Sequence, residues 1–312
     1  MAAPGGVNME DALRMVEVGV CSAWPLPGDP TCAGVARRIF RRAAGELSLV
    51  PELVDDGTTM VSELAANTLH VHSEESRAGS EFWLYLRGSG PRRELVCKVF
   101  DSYPGWLRAP VPGRALRAPL DAMSGRGLEV VHEMSGGRWG YHLTRSRLGD
   151  QPAQGKAVWF AIPAAGASQD LGGASQGLGG ALPGSAREAM TELESALAAR
   201  GFDGLVRADD PAADMAVLSV CNGLTVWCRA GMAWLRAPGM NGERWTYADL
   251  VEIVEQAVHA HETLAEATQP RSLAGVSRTG ALRPAPRPAP RPALRPARSV
   301  SYLRPVPGAI AP

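Results

Sequence analysis

Between Ala164 and Ser185 the chain reads AAGASQDLGGASQGLGGALPGS, a run with almost no side chain worth burying. Gly, Ala and Ser at this density behave as flexible coil, so no single hydrophobic core can extend through it. A second break follows near residue 270. From Arg271 onward the 312-residue chain carries eight Arg, nine Pro and no acidic residue, including RPAPRPAPRPALRPAR. Proline so dense favours extended polyproline II over any packed element. These breaks predict an N-terminal extension (1–16), a first folded unit (17–163), a linker (164–185), a second folded unit (186–266) and a disordered Arg/Pro-rich tail (267–312).

The tail conceals a charge split. Net charge is +0 overall, but residues 1–270 hold 24 basic against 32 acidic side chains, a net of −8. A neutral chain with an acidic body has no general attraction to nucleic acid or to an anionic membrane. No stretch approaches the roughly 20 apolar residues of a membrane helix, and Glu10 and Asp11 stand where a secretory signal would be apolar. Five widely spaced cysteines, Cys21, Cys32, Cys97, Cys221 and Cys228, suit neither a disulfide framework nor a paired zinc site. The expectation is a cytoplasmic protein that contacts neither membrane nor nucleic acid directly.

Periodicity fills in the first unit. Thr31–Leu47 carries Val35, Ile39 and Ala43 on one stripe with arginines opposite, and Pro51–His70 carries Leu53, Met60, Val61, Leu64 and Thr68 on another, interrupted only by Gly57. Both read as amphipathic helices. The period drops to two in Glu81–Arg87 and Glu94–Phe100, strands joined by a turn at Gly88–Pro91. A short helix over Gly127–Met134 and strands near Arg138–Thr144 and Ala157–Ile162 complete an α/β two-layer sandwich, a mixed sheet with helices on one face.

The second unit reads as a small α/β domain, with helices at Ala186–Arg200 and Tyr247–Ala265 enclosing short strands near Gly204–Arg207, Met215–Cys221, Leu224–Arg229 and Met232–Arg236. Asn222-Gly223 predicts a type I′ hairpin that opposes Cys221 to Leu224 and Val217 to Cys228. Both faces of that hairpin are apolar, so one packs its helices and the other is available to a further surface.

Three stretches carry candidate chemistry. In the second helix Glu63, Asn67 and His70 fall at i, i+4 and i+7, one stripe beside the apolar one, and a carboxylate and an amide oxygen so aligned can hold a hard cation with its waters. Asp101 ends an apolar strand just before Pro104 and Gly105, where a strand-end carboxylate can accept from an exocyclic amine at the bottom of a pocket. Ser124-Gly125-Arg126-Gly127-Leu128 opens a helix, where glycines admit an anion and unbonded amides favour phosphate.

In that order, together with Trp139-Gly140 and Gly155-Lys156-Ala157-Val158-Trp159-Phe160, these motifs resemble the ATPase superfamily of gyrase, heat-shock chaperones and histidine kinases. The nearest likeness is to bacterial anti-sigma-factor serine kinases and their small ATP-binding relatives, over residues 18–163. The resemblance implies ATP and Mg²⁺ as cofactors. Asn67 is then the metal ligand, Glu63 the general base, Asp101 the adenine-reading carboxylate, and Gly125, Arg126, Gly127 and Leu128 the phosphate-binding helix entry. Residues 106–123 become the ATP lid, with Arg108, Arg114 and Arg117 available to the triphosphate, while Gly105 keeps one glycine of the usual D-x-G-x-G. Tyr103 replaces the other, and Ala157 stands where relatives often carry a Thr whose hydroxyl helps hold adenine. The implied activity is phosphorylation of a Ser or Thr on an antagonist protein, with a sigma factor as second partner and a homodimer as the common assembly. The alternative is a catalytically silent, nucleotide-responsive binding module.

Overall fold

Two strands that are apolar on both faces dictate the layering. In β2 (Ser80–Arg87), Phe82, Leu84 and Leu86 join the largest core, while Trp83 and Tyr85 turn the other way. In β3 (Glu94–Asp101), Leu95, Cys97 and Val99 share the first face, and Val96 and Phe100 the second. Strands of this kind need cover on both sides. The structure, a computed structural model, describes residues 20–69, 79–102, 126–164, 182–239 and 242–268.

β1 (Ser22–Leu26), β4 (Trp139–Arg145) and β5 (Gln154–Pro163) complete a five-stranded sheet of order β1-β2-β3-β5-β4, every neighbouring pair antiparallel. The expected mixed sheet is therefore corrected to an antiparallel one. β3 and β4 run in the same direction, but β5 returns from β4 by a hairpin and lies between them, so no parallel neighbours remain.

Helices α1 (Cys32–Glu46) and α2 (Pro51–Leu69) cover the first face through Ile39, Phe40, Ala43, Met60, Val61 and Leu64. The glycine that interrupts the α2 stripe is what lets them close. A Cβ at Gly57 would lie 2.1 Å from the Phe40 ring, well inside contact distance. Helix α3 (Gly127–Met134) buries Val131 in the same core and is tied to β4 by Trp139 Nε1, which donates to His132 Nδ1 at 2.9 Å.

The second sheet is a meander, β6 (Val206–Asp210), β7 (Met215–Cys221), β8 (Leu224–Arg229), β9 (Met232–Arg236) and β10 (Arg244–Thr246), in the order β10-β9-β8-β7-β6. Its inner face, with Leu218, Val226 and Leu235, packs on α4 (Ala186–Ala198) and α5 (Leu250–Thr268) through Met190, Leu193, Ile253 and Val258. Ser185 caps α4 by accepting from the Glu188 amide at 3.2 Å, while the Glu188 carboxylate accepts from the Gly184 amide. Cys221 does oppose Leu224, but Val217 opposes Trp227 rather than Cys228, because the register shifts by a bulge between Ser219 and Cys221. Positive φ occurs at Gly223 (86°) and not at Asn222, so the turn is not type I′. A two-residue turn of the other kind mismatches the strand twist, and the bulge absorbs the difference. Among the described residues the chain is thus mixed α/β, with five helices and two antiparallel sheets, and none of those helices is long and apolar enough to cross a membrane.

Both sheets belong to one compact unit, and α5 is what joins them. Val251 packs on Tyr85, Val96 and Ala161, the Tyr85 hydroxyl donates to Glu252 at 2.6 Å, and the Gly88 amide donates to Asp249 at 2.6 Å. Helices on one face only was the expectation; the second face of the first sheet is covered too, as its Trp83 and Tyr85 require. The centre of this contact is ionic. Glu255, fully buried, accepts from Arg200 at 2.5 Å and Arg147 at 2.8 Å and pairs with Lys98 at 3.4 Å. Burial alone would raise its carboxyl, but Arg200, Lys98 and Arg147 outweigh that and hold it well below its ordinary value. His142, beside Lys98 at 3.1 Å, is pushed down to about 3 by burial and by that ammonium.

Candidate functional site

Helix α2 positions Glu63 and Asn67 one turn apart, with Met60, Val61, Leu64, Ala65 and Thr68 fixing its apolar side against the sheet. The two polar side chains are half-buried along the flank that α3 approaches. Gly127, the first residue of α3, lies directly against them. A Cβ there would stand 2.7 Å from Glu63 Oε2 and 3.5 Å from Asn67 Nδ2. Only a glycine lets the start of this helix come so near. Its amides have no side-chain cap, since Arg126 at the cap position makes no capping bond. Leu128 packs on the core behind it.

A carboxylate oxygen and an amide oxygen, neither with a side-chain hydrogen bond among the described residues, make a hard donor pair. Both side chains border a helix N-terminus whose backbone favours anions, Glu63 through Oε2 and Asn67 through its amide nitrogen. The chemistry of this donor pair therefore fits a hard divalent cation such as magnesium.

Asp101 lies at the end of β3 on the same face as Cys97 and Val99, toward the helical layer, and is 4% exposed. Directly across the strand pair is Lys156, whose ammonium donates to Asp101 Oδ2 at 3.0 Å. Gly155 makes the approach feasible, since a Cβ there would fall 2.2 Å from the Asp101 carbonyl oxygen and 2.7 Å from the Phe100 ring. Alternation along β5 sends Ala157 to the opposite face, against Trp83 and Phe100. The β5 residue beside Asp101 is thus Lys156.

The structure thus brings Glu63, Asn67 and Gly127 into contact and sets Asp101 on the face of the sheet that α2 covers. Gly105 and Gly125 lie outside the described residues, as do His70, Tyr103, Arg108, Arg114 and Arg117. The motifs give Lys156 no role, yet the sequence carries a signal. The chain has thirty arginines and two lysines, both within apolar strand runs, ELVCKVF and GKAVWF, and both lysines are buried in ion pairs. Among the described residues no group of three or more His, Cys, Asp or Glu could hold a metal ion unaided. A scan against models of known families gives no match, and a search of curated proteins gives none either.

Proposed function

We propose that this chain is an ATP-binding regulatory protein akin to the bacterial anti-sigma-factor serine kinases, its first unit a member of that ATPase superfamily. The observation that carries the reading is the contact of Gly127 with both Glu63 and Asn67. Without it, a polar helix stripe and a glycine-rich helix entry are each commonplace; together they put a cation-holding pair against an anion-favouring helix start. Bound there with ATP, Mg²⁺ would neutralise triphosphate charge and make the terminal phosphoryl group transferable. Asn67 would hold the metal through its amide oxygen, the backbone from Arg126 to Leu128 would face the phosphates, and Asp101 would accept from the adenine amine. Glu63 takes the proton from the attacking protein hydroxyl or water. The substrate is a Ser or Thr of an antagonist protein, the other partner a sigma factor, and the working assembly a homodimer.

A second reading, a nucleotide-responsive module without catalysis, is favoured by one specific observation. Lys156 already engages the Asp101 carboxylate, and the pair competes with the adenine amine for it. Calorimetry of ATP with and without Mg²⁺, on wild type and Asn67→Ala, tests the site. Magnesium-dependent binding is expected and is lost in the variant; no binding at millimolar ATP refutes both readings. Where binding holds, ATP turnover that vanishes in Glu63→Ala selects the kinase, and binding without turnover selects the module.

A further inference from the structure

The outer face of the second sheet is remote from this chemistry in kind as well as in residues. Strand register lines up Val217, Trp227, Trp234 and Arg244 in one row across β7 to β10, with Arg229 and Arg236 in the rows on either side. Trp227 and Trp234 stack at 6.2 Å with their planes 12° apart. The Arg236 guanidinium lies 5.8 Å over Trp227 and that of Arg244 lies 5.4 Å over Trp234. All three arginines are exposed, and among the described residues none of them bonds a carboxylate. Their neighbours behave otherwise. On the same sheet Arg207 is neutralised by Asp209 at 2.7 Å and Glu194 at 3.2 Å, and Arg87 and Arg145 on the first sheet and Arg147 in its β4–β5 turn each hold a glutamate. A body with a net of −8 thus carries one face on which three cations surround an indole pair without an acid between them.

We propose that this face binds an extended acidic segment of a partner protein, its carboxylates meeting Arg229, Arg236 and Arg244 and its apolar side chains meeting the tryptophans. An indole beneath a guanidinium orients it and strips water from one side, leaving the N–H fork directed outward for bidentate contact with a carboxylate. Single-stranded nucleic acid fits less well, because bases bind such platforms by stacking on open aromatic faces. Here the indoles are stacked on one another and overlaid by guanidiniums. The chain's own Arg/Pro tail is excluded by its eight arginines, which repel the face.

The test reads the face itself, because those tail arginines attract any polyanion. Indole N–H resonances of the full chain are assigned with Trp227→Phe and Trp234→Phe and followed during titration with a deca-glutamate peptide. The two resonances are expected to shift saturably, and Arg236→Glu with Arg244→Glu weakens that response by about tenfold or more while leaving the melting temperature unchanged. The proposal is overturned if the resonances stay still, if they move equally in the charge-reversed variant, or if oligo(dT) moves them and the peptide does not. Shifts that appear on raising protein concentration alone make the face a self-association surface and overturn it equally.

Discussion

Glu255→Gln removes the carboxylate at the centre of the joint between the sheets while keeping its size. Three cations then face a single carbonyl oxygen, and two of them are nearly inaccessible to water, Lys98 with 2% and Arg200 with 3% of the side chain exposed. Breaking a buried ion pair from one side in this way costs about 3–5 kcal/mol, a large part of the roughly 5–15 kcal/mol that holds a typical domain together. Lys98→Met is the informative partner. Its contact is the longest of the three at 3.4 Å, and Glu255 keeps Arg147 and Arg200 when it goes. Removing one cation from a surplus and filling its place with an apolar chain of similar volume should cost less than Glu255→Gln, about 1–3 kcal/mol for the buried His142 nitrogen left without its partner. Equilibrium unfolding in urea, followed by far-UV circular dichroism, compares the two. Glu255→Gln within 1 kcal/mol of wild type, or Lys98→Met as harmful as Glu255→Gln, refutes the view that this carboxylate is the keystone of the joint. The pH dependence has the matching sign. A carboxyl held below its ordinary 4.5 stabilises the fold above that pH and loses the contribution as pH falls toward the folded value.

Two further substitutions probe the fold separately from the site. His142 is held at about 3 against an ordinary 6.5, so folding excludes its proton and stability falls as pH drops below 6.5, by about 1.4 kcal/mol per unit; His142→Asn should flatten that slope between pH 6.5 and 4.5 in denaturation profiles. Gly57→Ala places a methyl 2.1 Å from the Phe40 ring, and the resulting overpacking should cost about 1–3 kcal/mol in the same urea assay.

Periodicity located the elements where burial and alternation coincide. The helices over Cys32–Glu46 and Pro51–Leu69, and the strands over Ser80–Arg87 and Glu94–Asp101, fall within a residue or two of their sequence patterns, the helices because each has one core face and the strands because nearly every residue in them is buried. Where local rules met tertiary demands, the pattern misled. Asn222-Gly223 favours a turn that twists with its strands, but the bulge before it lets another turn serve, and every residue from Ser219 back is offset by one. The strand directions of the first sheet were open in the same way. A helical crossover suggests parallel neighbours, and only the insertion of β5 between β3 and β4 removes them.

The second cover of the first sheet was written in β2 from the start. EFWLYLR has Phe82, Leu84 and Leu86 on one parity and Trp83 and Tyr85 on the other, and a two-layer sandwich leaves the second set in water. Lys98 gives the same message from β3, since a lysine among apolar residues is tolerated at 2% exposure only when an acid comes to meet it. That acid, Glu255, lies 157 residues further along, beyond the glycine-rich run, and no local rule reaches across such a separation. The consequence bears on the candidate site as well. Lys98 and Asp101 stand on opposite faces of one strand, three residues apart, each paired with a residue from another element: Glu255 on α5 and Lys156 on β5. Strand β3 is therefore held by a buried ion pair on each of its two faces.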